Sequence, residues 1–260
     1  MAGAAAYSKR AMTLKRRDLL RTGLGGLGAA LLGPLLPGEA RAYSVEPPGR
    51  PARISGRVRY AGKAPRPKKV SFSGGDAAYC RKFDIREESL RVGAGEGLQN
   101  AVVALETVAR GKPIPETSPT LAEWRCTFVP HVLSITAGTK LLLHNRDPVL
   151  NTFHAIAQPG GRTLFNVGMP NLNQKLHRRI RKPGLVLMHC DVHPWEEAWI
   201  VAVPHPYHTV TDGAGRFVLD QVPPGRYTLV LWHEKLGTRK QTVEVGPGAH
   251  LKLEIAYPGK

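Results

Sequence analysis

Val210-Thr211-Asp212-Gly213-Ala214-Gly215-Arg216-Phe217-Val218-Leu219, followed by Val222-Pro223-Pro224-Gly225-Arg226-Tyr227-Thr228-Leu229, is the stretch that decides the fold. Thr211–Gly215 has hairpin-turn chemistry, with glycines supplying the positive φ that tight turns need. Phe217–Leu219 then predicts a strand, and Pro223-Pro224-Gly225 a second turn. Tyr227–Trp232 and Gln241–Val245 continue the apolar/polar alternation that marks half-buried strands.

Working outward, the same punctuation recurs. Ile54–Tyr60 alternates and ends at a turn, Ala61-Gly62. Ala101–Leu105 is a short apolar run of buried-strand type. Residues 110–120 predict a loop. Cys126–Phe128, Val132–Ile135 and Lys140–His144 predict three strands, separated by Pro130 and by Ala137-Gly138. Asp147-Pro148 marks a turn, after which Thr152–Ile156 is extended. Gly184–His189 and Ala198–Val203 complete the set. Only residues 76–90 and 171–181 leave room for helix, without convincing periodicity. The 28 Gly and 22 Pro of the 260-residue chain are spread as strand breakers, and the fold class expected is all-β.

Residues 1–42 stand apart from the fold. Arg16-Arg17-Asp18-Leu19-Leu20-Arg21 precedes an apolar run, Thr22–Leu36, and then Ala40-Arg41-Ala42. Charged start, apolar middle and A-x-A-like end make a secretory signal. Its paired arginines resemble the twin-arginine export signal. The run is too short and too glycine-rich for a transmembrane anchor, so none is expected after cleavage. A periplasmic or extracellular location follows, reached by a route that carries folded proteins. Residues 43–51 read as a Pro-rich linker.

Cleavage after Ala42 would remove seven of the 37 basic and two of the 20 acidic residues, leaving a net charge of +12. Such a surface favours anionic partners. Export argues against nucleic acid; a basic surface that serves solubility is the plainer reading, and an anionic redox partner or membrane surface is the alternative. Oligomeric state is not legible.

Two families are resembled. The tail quoted above is similar to the carboxypeptidase regulatory-like family of transthyretin-like β-sandwiches. That family's earlier strands match Ile54-Ser55-Gly56-Arg57-Val58 with Gly62-Lys63-Ala64-Pro65, and Asn100–Leu105. The resemblance implies a sandwich split between residues 52–108 and 206–258. Residues 115–204 would then form a second module inserted between the halves; two consecutive domains are the alternative. This second segment resembles the Greek-key cupredoxins through Cys190-Asp191-Val192-His193-Pro194-Trp195 and the upstream Asn145–His154. The expected architecture is a cupredoxin-like barrel inserted in, or next to, the sandwich.

The cupredoxin resemblance implies a mononuclear copper site. Cys190 and His193 match its Cys and second His, His154 its first His, and Glu196 falls where a Met is common. Soft thiolate suits Cu(I), while imidazole serves both oxidation states. The chain departs from the pattern twice, because Asn151 stands at the usual first-His position and Glu196 replaces the thioether. A carboxylate there favours Cu(II), and zinc is the alternative metal.

Three cysteines, Cys80, Cys126 and Cys190, leave one thiol over in an oxidising compartment. A Cys80–Cys126 pair frees Cys190 for a metal; a Cys126–Cys190 pair abolishes the site. His189, next to Cys190 on an extended strand, is expected to face away from it. His131 is a candidate for supporting the site. No G-x-S-x-G, H-E-x-x-H or phosphate loop is present. The chain is therefore read as handling electrons or copper rather than cleaving bonds. A metal-free accessory protein binding carbohydrate or protein, and a metal-dependent enzyme, are the rival readings.

Overall fold

Alternation along Ala52–Ala61 buries Ala52, Ile54, Val58 and Tyr60 on one face, as a half-exposed strand must. In the computed structural model, which describes residues 43–259, this strand is the centre of a three-stranded sheet. It pairs antiparallel with Arg216–Val222 and parallel with His250–Pro258. Gly56 permits the close approach: a Cβ there would lie 2.2 Å from the Leu253 carbonyl oxygen. The Thr211–Gly215 turn also needs its last glycine, whose φ is +75° and which sits against the Val58 carbonyl.

A four-stranded sheet faces this one, in the order His208–Val210, Val102–Leu105, Gly225–His233, Gly237–Val245. Between the two sheets lies one apolar core, including Ile54, Val58, Leu98, Val103, Leu105, Leu229, Leu231 and Tyr257. The resulting sandwich draws its strands from both ends of the described chain.

The middle of the chain forms a second two-sheet body, the barrel. Its larger sheet runs Arg162–Met169, Asn151–Gln158, Gly184–His189, Glu197–Val203, Val132–Thr136, the last pair parallel. The smaller runs Lys175–Arg179, Lys140–Asn145, Thr120–Glu123, Phe128–Val129. Leu121, Phe128, Leu141, Leu143, Phe153, Met188 and Ile200 fill the space between. The molecule is thus all-β, as the spacing of its turns implies.

Three expectations change. Cys126 and Thr127 lie in a bend, with Cys126 at positive φ, so the strand expected at Cys126–Phe128 is Phe128–Val129 instead. Residues 171–181 hold a strand, Lys175–Arg179, whose side chains alternate between exposed and half-buried against Lys140–Asn145. Residues 76–90 contain only the four-residue helix Ala77–Cys80. That helix belongs to an excursion over residues 62–97, and a disulfide between Cys80 and Cys126 fastens it to the barrel. Cys190 is left as a free, buried thiol.

Sandwich and barrel meet through Val102, Val132 and Trp232, with Trp199 and Val201 packed against them. The Trp199 and Trp232 rings lie 5.4 Å apart. Glu234 accepts from the Trp199 indole (3.1 Å) and pairs with His131, so His131 serves this junction. No helix among the described residues is long and apolar enough to cross a membrane. The twin-arginine stretch lies outside the described residues.

Candidate metal centre

Period-two geometry fixes which residues enter the barrel. Along Gly184–His189 and onward, Val186, Met188 and Cys190 are buried, so Cys190 faces inward. His189 faces away and lies 3.8 Å from Glu197. The chain then curls back on itself. The Glu196 N–H donates to the His193 carbonyl (2.9 Å) and the Cys190 N–H to the Glu196 carbonyl (3.2 Å). This closed loop turns both His193 and Glu196 toward the sulfur.

Cys190 Sγ, a His193 ring nitrogen and a Glu196 carboxylate oxygen lie within 4.8 Å of one another. Sγ is 3.7 Å from Nδ1 of His193, and that nitrogen is 3.4 Å from Oε1 of Glu196. All three residues are buried. The Thr152 N–H donates to Sγ at 3.4 Å, a contact suited to a thiolate. Behind the imidazole, Nε2 of His193 lies 3.3 Å from Asp76 of the excursion. A carboxylate on the far nitrogen is the usual way a metal-ligating histidine is oriented. Trp195 covers the site, its ring 5.1 Å from that of His193 and 5.3 Å from Phe72.

The fourth residue expected here, His154, is not part of the cluster. Positions 151 and 154 differ by an odd number, so on one strand their side chains take opposite faces. Asn151 takes the inward place and is buried, while His154 is only half-buried on the outer face. There its ring is held on both sides, by Asp191 (2.8 Å) and Thr163 (2.8 Å). Asn151 donates to Oδ1 of Asn145 (3.0 Å), and its own Oδ1 has no partner. Of the four residues expected to act together, the structure brings Cys190, His193 and Glu196 into one cluster and places His154 outside it.

Sequence reasoning missed Glu123. It ends the strand Thr120–Glu123, is fully buried, and neither of its carboxyl oxygens has a hydrogen-bond partner. Burial first, then the nearby charges of Glu196 and Cys190, push its pKa well above the carboxylate range. Its one sequence signal is an acid set among apolar neighbours, Leu121-Ala122-Glu123-Trp124. Burial also raises the Glu196 pKa, and the His193 contact only partly offsets it. His193 itself is pushed up to about 10: burial opposes its charge, but Cys190 and Glu196 outweigh that. On its other side the Glu196 carboxylate lies near the Cys80 and Cys126 sulfurs, which are bonded to each other and unavailable as thiolates.

A metal is the chemistry that fits this donor set. Buried carboxylate oxygens without hydrogen-bond partners are costly unless protonated or bound to a cation, and a thiol, an imidazole and the unpaired Glu196 oxygens converge here. Thiolate, imidazole and carboxylate are all ligands of zinc and of first-row transition ions.

Comparison with known proteins is consistent with β-sandwich architecture. A family model described as polysaccharide lyase family 4, domain II, matches residues 184–253, which span the end of the barrel and much of the sandwich. No curated protein matches the chain. Among solved structures, a purple cupredoxin from Nitrosopumilus maritimus is 20% identical with a TM-score of 0.30, covering 33% of this chain and 100% of its own. The reduced Cu(I) form of an amicyanin mutant is 18% identical with a TM-score of 0.31, over 35% of this chain and 86% of its own. A copper-containing nitrite reductase from Thermus scotoductus is 19% identical with a TM-score of 0.30, over 38% of this chain and 25% of its own. Likenesses this distant assign no residue a role.

Proposed function

We propose that this chain is an exported metalloprotein whose Cys190–His193–Glu196 centre holds one copper ion and serves electron transfer or copper handling. One observation carries the reading: three different ligand types converge within 4.8 Å in a buried pocket, and the Glu196 oxygens have no hydrogen-bond partner. A bound copper ion supplies one-electron chemistry, and the chain's residues set the terms. Cys190 would give the soft sulfur. His193 offers Nδ1 while Asp76 holds its far nitrogen. The Thr152 N–H, donating to the sulfur, withdraws electron density from it, a lever on potential. Glu196 supplies a hard oxygen that favours the divalent state, and the same donors accept zinc. Export by the twin-arginine route, a location outside the cytoplasm and an anionic partner belong to this reading, supported by the N-terminal motif and the basic surface.

The test is metal analysis with visible spectroscopy of the copper-loaded wild type and of Cys190→Ser. An intense thiolate-to-copper band and one retained ion in the wild type, both lost in the variant, are expected. A wild type that retains no metal after dialysis overturns the reading.

A second reading has one observation in its favour. The match to polysaccharide lyase domain II covers several sandwich strands, which supports an accessory carbohydrate-binding role. Binding of soluble glycans by the metal-free protein distinguishes it.

A further inference from the structure

Building on the proposed metal centre, we infer that Glu123 is its fourth protein ligand, giving a closed Cys-His-Glu-Glu site selective for divalent over monovalent ions.

Glu123 reaches the site from the barrel sheet opposite the one that carries Cys190. Its strand lies between Lys140–Asn145 and Phe128–Val129, whereas Cys190 follows the Gly184–His189 strand of the larger sheet. The two sheets therefore close on the same space from both sides. Both Glu123 oxygens are buried without partners, as are both of Glu196. Among the described residues neither carboxylate has an ion pair with Lys or Arg, and His193 is the one cationic group that Glu196 meets. Two orphaned acids beside one thiol is a charge pattern that folding alone does not reward.

A divalent ion resolves it. With Cys190, Glu123 and Glu196 ionised and His193 neutral, the ligands carry three negative charges, the same as a Cys3His structural zinc site. A monovalent ion would leave a larger uncompensated charge in the same buried volume. Glu123 stands outside the set already within 4.8 Å. Cys190, itself a member of the set, is the thiol its carboxylate meets, and Glu196 is its nearest charged neighbour, so the acid already faces the other ligands. Asn151, the inward residue of the neighbouring strand, is held to Asn145 through its amide nitrogen; its free Oδ1 is neutral and adds no charge to the set.

The experiment titrates wild type, Glu123→Gln and Cys190→Ser with Co(II), Zn(II) and Cu(I), and counts scatterers around Zn(II) in the wild type by X-ray absorption. Glu123→Gln is expected to weaken Co(II) and Zn(II) binding ~10- to 100-fold, the scale seen when a metal's supporting carboxylates are lost. Cu(I) affinity should move far less, and the Co(II) visible spectrum should change shape. The wild-type Zn(II) shell should hold one sulfur and three N/O atoms from protein. Equal Co(II) affinity and spectrum in wild type and Glu123→Gln overturn the inference while leaving the three-ligand centre intact. Should Glu123→Gln fail to fold, a wild-type shell with fewer than three protein N/O atoms overturns it on its own. Failure of the wild type to bind any of the three ions removes the proposed function itself.

Discussion

The sandwich and the barrel both bury polar groups, and they do so in opposite ways. In the sandwich such groups are neutral, and although some are satisfied, Asn100 Nδ2, His205 Nε2 and His233 Nε2 have no partner. Thr211 donates to the Leu98 carbonyl and accepts from the Ala101 N–H, and Tyr207 donates to the Gln221 carbonyl (3.0 Å). Burial lowers the pKa of His205 and pushes that of His233 down to about 4. The barrel instead gathers a thiol and two acids with four carboxylate oxygens unpartnered. What separates the two interiors is charge: the unpaired atoms of the sandwich belong to neutral groups, whereas those of the barrel belong to acids, whose ionised forms are far costlier to bury unpaired.

The comparison breaks most sharply through metal. Zn(II) at about a thousand times its dissociation constant should stabilise the wild type by ~4 kcal/mol. Cys190→Ser should erase that gain, as differential scanning calorimetry would show. Next comes the link that fastens the excursion over the site. Cys80 and Cys126 are 46 residues apart, and replacing both with Ala should cost roughly 2–5 kcal/mol in chemical denaturation. It should also loosen metal binding, because Asp76 beside His193 is in the same excursion. Leu231→Ala, deep in the sandwich core, should cost about 2–5 kcal/mol yet leave metal affinity unchanged. A parallel loss of affinity would show that the two interiors are not independent.

The smallest effect is a pH slope. Burial pushes His208 down to about 4, and the charges of His205 and Lys112 add to this. Its ring meets Ser134 (2.9 Å) and Thr136 (3.1 Å) where the two bodies join. The unfolded chain therefore binds this proton first as pH falls. Stability is whole above the unfolded value near 6.5 and declines between there and about 4. His208→Gln should flatten that part of a urea-midpoint against pH profile.

Local chemistry was legible in the sequence, and distant pairing was not. Asp212-Gly213-Ala214-Gly215 announces its turn because positive φ selects glycine. Cys190, His193 and Glu196 come together because the seven residues from 190 to 196 form one closed loop. His154 misled because spacing from Cys190 says nothing about which face of a strand is inward; only the burial of Asn151, Phe153 and Ala155 decides parity. Glu123 gave only the signal of an acid among apolar neighbours, because the site residues it faces, Cys190 and Glu196, are more than sixty positions away. The strand at Lys175–Arg179 was hidden by its polarity, which reflects an edge position exposed to solvent.

The barrel's two connections to the sandwich are close together. Val102–Leu105, where the chain departs, is hydrogen-bonded directly to His208–Val210, where it returns. A module tethered by the main chain at two adjacent points, and again by the Cys80–Cys126 disulfide, with tryptophans wedged beneath, has no arm on which to swing. If the proposed centre exchanges electrons or copper, its partner must come to this protein and dock.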